Sequence, residues 1–192
     1  MEEFQVSIDG IPKKLPSPFF VIATQNPEEF HGAFPLPESQ MDRFMISLSL
    51  GYPTYEEEIL ILNKHKESDF KDNIPSLDDN IEPVINLDDL NNFRKIVYSI
   101  FTSSEIDSYI VRIVSNTRND TRISLGVSPR TSVALLRMSQ ANAFLSKRDY
   151  VIPDDVKNIA PYVLKHRLKF FQNLSKDQIF SITCDIIERT IV

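Results

Sequence analysis

Three short stretches of this chain set polar side chains where phosphate chemistry could use them. In Ala23-Thr24-Gln25-Asn26-Pro27, a polar group follows an apolar run of strand length. Ligands of open α/β sheets bind at the carboxyl ends of such strands. Asn26 carries both a donor and an acceptor, so it could orient a water against a phosphate. The same residues also read as an Asn-Pro turn that only ends the strand. In Leu36-Pro37-Glu38-Ser39-Gln40-Met41-Asp42-Arg43-Phe44, Arg43 stands between a short helical stretch and an apolar run. A guanidinium there could reach outward and stabilise charge on a transferring phosphoryl group. Alternatively, Arg43 pairs with Asp42 or Glu38 in a surface contact of little energetic weight.

The third stretch is Gly126-Val127-Ser128-Pro129-Arg130-Thr131-Ser132. Ser128 suits a helix N-cap and Pro129 the first helical position. Arg130 then falls in the first turn, where the helix dipole already places positive charge and an acidic residue would be favoured. An anion bound at the helix N-terminus would offset that cost. An exposed, screened Arg130 that tolerates a few tenths of a kcal/mol is the competing reading.

Other candidates carry less chemistry. Pro83-Val84-Ile85-Asn86-Leu87-Asp88-Asp89 imitates an apolar strand ending in two acids, as in a magnesium site, yet Asn86 breaks the run and Leu87-Asp88-Asp89-Leu90 suits an acidic helix start. His31, His65 and His166 share no metal-like spacing, so surface or packing roles are expected. Cys184 sits in an apolar helical stretch and is expected in a core. No metal site is expected.

These residues need a scaffold, and the chain changes texture along its length. Residues 4–8 and 11–15 alternate around Asp9-Gly10, a hairpin signal. Residues 18–23 and 44–50 are apolar runs that read as strands buried on both faces. After Pro53 the periodicity becomes helical, with helices expected at 55–66, 87–101, 105–119, 129–146, 153–166 and 175–190. In 105–119, Ile106, Tyr109, Ile110, Ile113 and Val114 form one buried stripe. The expected architecture is a partial α/β core, a hairpin plus parallel strands, followed by an all-α lid. Its divisions are 1–86 for the core part, 87–126 for a helical connector and 127–192 for the lid. A hairpin and two strands make no complete sheet, so further strands are expected from outside these residues.

Composition narrows the function classes. A hydrophobic fraction of 42% can build a core, and a net charge of −6 argues against a broad nucleic-acid face. One cysteine excludes an internal disulfide and fits a reducing, cytoplasmic setting. The acidic start MEEFQVSIDG is no signal peptide, and runs such as FFVIA are far too short to span a membrane.

Taken together, QVSIDG, PFFVIATQNP, FPLPESQMDRF, LGYPTYEEE, GVSPRTSVALLRMSQANAFL, RDYVIPDDV and VLKHRL resemble the MoxR family of AAA+ ATPases, in the family's order and over nearly the whole chain. The resemblance implies that Asn26 matches sensor 1, which positions the attacking water. It implies that Arg43 matches the arginine finger, acting on a neighbouring protomer's nucleotide, and that Arg130 matches sensor 2 at the start of the lid. ATP and magnesium, a homo-oligomeric ring, commonly a hexamer, and a chaperone-like role toward partners such as von Willebrand factor A-domain proteins are further implications.

The departure is equally plain. The family's phosphate loop and magnesium-binding strand are not in this sequence: no G-x-x-x-x-G-K-[ST] occurs, and Gly-Lys never does. The chain is therefore expected to be a C-terminal fragment that does not hydrolyse ATP alone. A non-catalytic helical adaptor derived from such a protein is the alternative.

Overall fold

The computed structural model describes residues 5–8, 10–25, 37–68 and 82–192. They divide into two compact units, Met1–Ser47 with Asn91–Val192, and Leu48–Leu90.

In the first unit, β1 (Gln5–Ile8) pairs antiparallel with β2 (Ile11–Lys14), and Ile8 faces Ile11. The turn places Gly10 at φ +79°, a left-handed conformation open to glycine without a Cβ penalty, so the Asp9-Gly10 hairpin signal was sound. The short α1 (Glu38–Met41) precedes Asp42 and Arg43. The expected strands at 18–23 and 44–50 are not strands among the described residues, whose two-stranded sheets are both antiparallel. An apolar run becomes a strand only when neighbours take its hydrogen bonds, and here Phe20 and Ile22 are 82% and 79% exposed.

The second unit contains α2 (Tyr55–Ser68). Thr54 and Glu57 bond reciprocally at its start, with Thr54 N–H donating to the Glu57 carboxylate at 2.7 Å. Its Ile59, Leu60, Ile61 and Leu62 are all exposed.

The helix α3 (Leu87–Ser99) begins where the acidic-start reading put it: Asp89 N–H donates to the Asn86 side chain at 2.8 Å. Asp88 and Asp89 thus serve a helix start. The remaining helices are α4 (Ser104–Asn119), α5 (Pro129–Leu145), α6 (Pro153–Leu164) and α7 (Lys176–Arg189). The pairs β3 (Ile123–Leu125) and β4 (Lys169–Phe170) were not foreseen; two or three residues are too few to show a period.

The core gathers the apolar faces of these helices. The α4 stripe of Ile106, Tyr109, Ile110, Ile113 and Val114 is buried as its spacing required, against Leu135, Val156, Val163 and Leu164. Cys184 is half-buried rather than a core residue. Gly126 lets the strand end pass over α4: a Cβ there would lie 2.7 Å from the Arg118 Cα. Beside it, Arg118 Nε donates to the Val127 carbonyl at 2.9 Å, and Thr117 Oγ1 accepts from Val127 N–H at 3.3 Å.

Two ionic ties close the helical part. Arg122 reaches Asp120 at 2.6 Å and Asp185 of α7 at 2.7 Å. Asp155, at the start of α6, accepts from Arg148 at 2.6 and 2.7 Å, from Asn142 at 2.8 Å and from Ile152 N–H at 2.9 Å. Burial pushes the Asp155 carboxyl up, but these donors outweigh it and hold it below its ordinary value.

Candidate functional site

Asn26 lies outside the described residues. Of the other two predicted residues, Arg130 lies against Asp42, and Arg43 is the next residue in the chain after Asp42.

Arg43 follows α1 in a turn, with its N–H donating to the Gln40 carbonyl at 3.2 Å and Phe44 N–H to Met41 at 3.1 Å. Its side chain is exposed and makes no ion pair among the described residues. The surface pair with Asp42 is not formed, because Asp42 faces the helical part instead.

Ser128 occupies the N-cap position of α5 with extended backbone, and Pro129 opens the helix, as expected. Yet the Ser128 hydroxyl caps nothing; it donates to Asp42 Oδ2 at 3.0 Å. Arg130 Nη1 lies 3.6 Å from the same oxygen, with the Arg130 side chain 46% exposed. The anion that the helix electrostatics called for is therefore supplied, in this structure, by Asp42. The position of Arg130 alone no longer requires an incoming phosphate.

Two residues that follow α6 hold this segment from the other side, Arg167 at Asp42 and Phe44 and His166 at Phe44. Arg167, with only 3% of its side chain exposed, places Nε 3.5 Å from Asp42 Oδ1. Its Nη2 donates to the Phe44 carbonyl at 2.6 Å and to the Asp42 carbonyl at 3.3 Å. His166 Nε2 lies 3.1 Å from the same Phe44 oxygen. A carbonyl only accepts, so Nε2 carries the proton. Burial holds both side chains below their ordinary pKa values, with the Phe44 carbonyl partly opposing this at His166 and Asp42 at Arg167. The carbonyls on either side of Arg43 are thus fixed while Arg43 itself is exposed.

Sequence reasoning had given His166 a packing or surface role and left Arg167 unassigned within VLKHRL. The basic run Lys165-His166-Arg167 follows the apolar Val163 and Leu164, but a run of that kind does not by itself tell a buried cation from an exposed one. Among the described residues, no three His, Cys, Asp or Glu side chains converge to hold a metal.

Comparison with known proteins bears on the family and the fold. The signature described as "ATPase family associated with various cellular activities (AAA)" matches residues 1–46, and that of the AAA lid domain matches residues 115–184. The uncharacterized protein YeaC of Bacillus subtilis is 45% identical over 168 residues, covering 88% of this chain and 50% of that protein. Chaperone MoxR1 of Mycobacterium tuberculosis is 36% identical over 188 residues, covering 93% of this chain and 48% of the relative. A crystal structure of a provisionally assigned ATPase from Cytophaga hutchinsonii superposes with a TM-score of 0.79 at 30% identity, over 100% of this chain and 59% of the other.

A partial α/β core followed by a helical lid is the architecture of an AAA+ ATPase. The chain belongs to the MoxR family of these ATPases and matches its C-terminal portion. It spans about half the length of these curated relatives.

Proposed function

We propose that this chain serves an ATP-driven machine that remodels or matures partner proteins, working as a homo-oligomeric ring, commonly a hexamer. In this reading Asn26 places the attacking water, Arg43 stabilises transition-state charge on a neighbouring protomer's nucleotide, and Arg130 contacts the γ-phosphate and couples it to the lid. The phosphate-cradling loop and the magnesium ligands belong to residues outside this sequence. The core part would run over 1–86, a connector over 87–126 and the lid over 127–192. Von Willebrand factor A-domain proteins are the proposed partner class and the cytoplasm the proposed location. No helix among the described residues is long and apolar enough to cross a membrane.

The observation that carries the reading is the contrast at Arg43. Its side chain is exposed, while the carbonyls of Asp42 and Phe44 on either side are gripped by the nearly buried Arg167. A guanidinium presented outward from a fixed backbone is what action on another subunit requires.

The test uses the complete ATPase. Arg43→Ala should lower turnover by ~10³-fold or more, the range known for arginine fingers, while ATP binding persists. Mixed rings of variant and parent subunits should lose activity in proportion to the interfaces lacking Arg43. Turnover near the parent level would remove Arg43 from this role.

A further inference from the structure

We propose that Asp42 is a positioning residue that competes with phosphate for Arg130 and so links the state of Arg130 to the segment bearing Arg43. This rests on the reading of Arg130 as a phosphate-contacting residue.

The geometry divides Asp42 into a fixed part and an exchangeable part. Its carbonyl is held by Arg167 Nη2 at 3.3 Å, and its Oδ1 lies 3.5 Å from Arg167 Nε. Arg167 is nearly buried, with Nε and Nη1 lacking hydrogen-bond partners among the described residues, so it grips Asp42 through the carbonyl hydrogen bond and through charge, and moving it would break the bonds of Nη2 to two backbone carbonyls. The contact from Asp42 Oδ2 to Arg130 is different. At 3.6 Å it is longer than a good charge-assisted hydrogen bond, and the Arg130 side chain is 46% exposed. Contacts of that kind are weak and readily exchanged.

A polyphosphate offers Arg130 more negative charge and a better fork of acceptors than one carboxylate does. Its arrival would release Asp42 Oδ2 from Arg130 while Ser128 and Arg167 retain the residue. Asp42 is covalently next to Arg43, so the change in its partners is felt where the outward guanidinium leaves the backbone. Such linkage is reciprocal: whatever draws Arg43 and Asp42 away from the lid makes Arg130 more available to phosphate.

The test uses the full 192-residue chain and inorganic tripolyphosphate, followed by NMR at the Arg130 side-chain Nε–H. Asp42→Asn should tighten binding roughly fivefold, the equivalent of about 1 kcal/mol. Damage to the fold would weaken binding, so a gain in affinity separates competition from a merely structural role. Arg130→Ala should weaken binding in both backgrounds. If Asp42→Asn does not fold, Asp42→Ser takes its place. In the parent chain, which needs no variant, tripolyphosphate should also shift the Asp42 carboxyl carbon and the Arg43 amide along the same binding curve. Binding that depends on Arg130 but is unchanged or weakened by Asp42→Asn, or that leaves the Asp42 and Arg43 signals still, overturns the competition and spares the reading of Arg130. Binding indifferent to Arg130→Ala, or no binding by any of these chains at millimolar tripolyphosphate, overturns both.

Discussion

The hydroxyl of Ser128 donates to the carboxylate of Asp42 at 3.0 Å, a bond that spans 86 positions of sequence. A serine at the head of a helix ordinarily serves that helix by accepting from its first N–H groups. Here it serves a tertiary contact. Ser128→Ala should cost about 1 kcal/mol, the usual net worth of a part-buried hydrogen bond. Urea unfolding of the two chains measures it, and an unchanged midpoint would mean that the contact adds nothing.

Arg148→Met should be among the more damaging single changes, costing about 3–5 kcal/mol, because it leaves the Asp155 carboxylate buried without its cation. Asp155 has 2% of its side chain exposed, and Arg148 has 23%. The pH dependence follows from the lowered carboxyl. Stability from this group is present above its unfolded value of 3.8 and is lost as pH falls through the lower folded value. The parent chain should therefore lose stability in that acid window, and the variant should lose less there. Denaturant unfolding from pH 2 to 7 gives both curves.

His166 titrates in the same direction but in a milder window. Burial, the largest cause, holds its folded pKa below the ordinary 6.5. The unfolded chain then binds the proton more readily, so the contribution of neutral His166 is present above pH 6.5 and is lost as pH falls through the lower folded value. His166→Gln keeps a donor for the Phe44 carbonyl and cannot titrate. Its stability should stay flatter below pH 6.5 than the parent's, as thermal melts across pH 5 to 8 would show.

Gly126→Ala should destabilise by about 1–3 kcal/mol, the cost of overpacking. The added Cβ would meet the backbone of Arg118 at 2.7 Å, and backbone cannot step aside as the end of a flexible side chain can. Thermal unfolding reads the loss; a neutral effect would show that α4 shifts freely at that point.

The legible parts of this molecule are those with strong local rules. The Pro153, Asp154, Asp155 start, the Asn86–Asp89 cap and the α4 stripe are written within a turn or two of themselves, and each folds as its spacing requires. Strand character at Phe20 and Ile22 depends on neighbours rather than on the run itself, so an apolar stretch misled there. At the candidate site, Arg43 and Arg130 could be picked out because a guanidinium in an exposed turn, or at a positive helix end, invites a reason. Asp42, His166 and Arg167 could not, because their meaning comes from contacts more than 80 positions away. The cation at the head of α5 left two readings open, a bound anion or an exposed Arg130 that tolerates the helix end, and a carboxylate of the chain itself, Asp42, lies 3.6 Å from it.

Arg122 bridges Asp120 and Asp185, and the second of these acids lies one residue past the point where the lid signature stops matching, at 184. The buried Ile186 and Ile187 come after it. A chain trimmed to the signature would open one side of the interior to water and leave the Arg122 guanidinium with a single acid. The working limit of this lid is therefore set by the last turns of α7, and anyone expressing the lid separately should carry it through Thr190, whose hydroxyl still accepts from Asn116 at 2.8 Å.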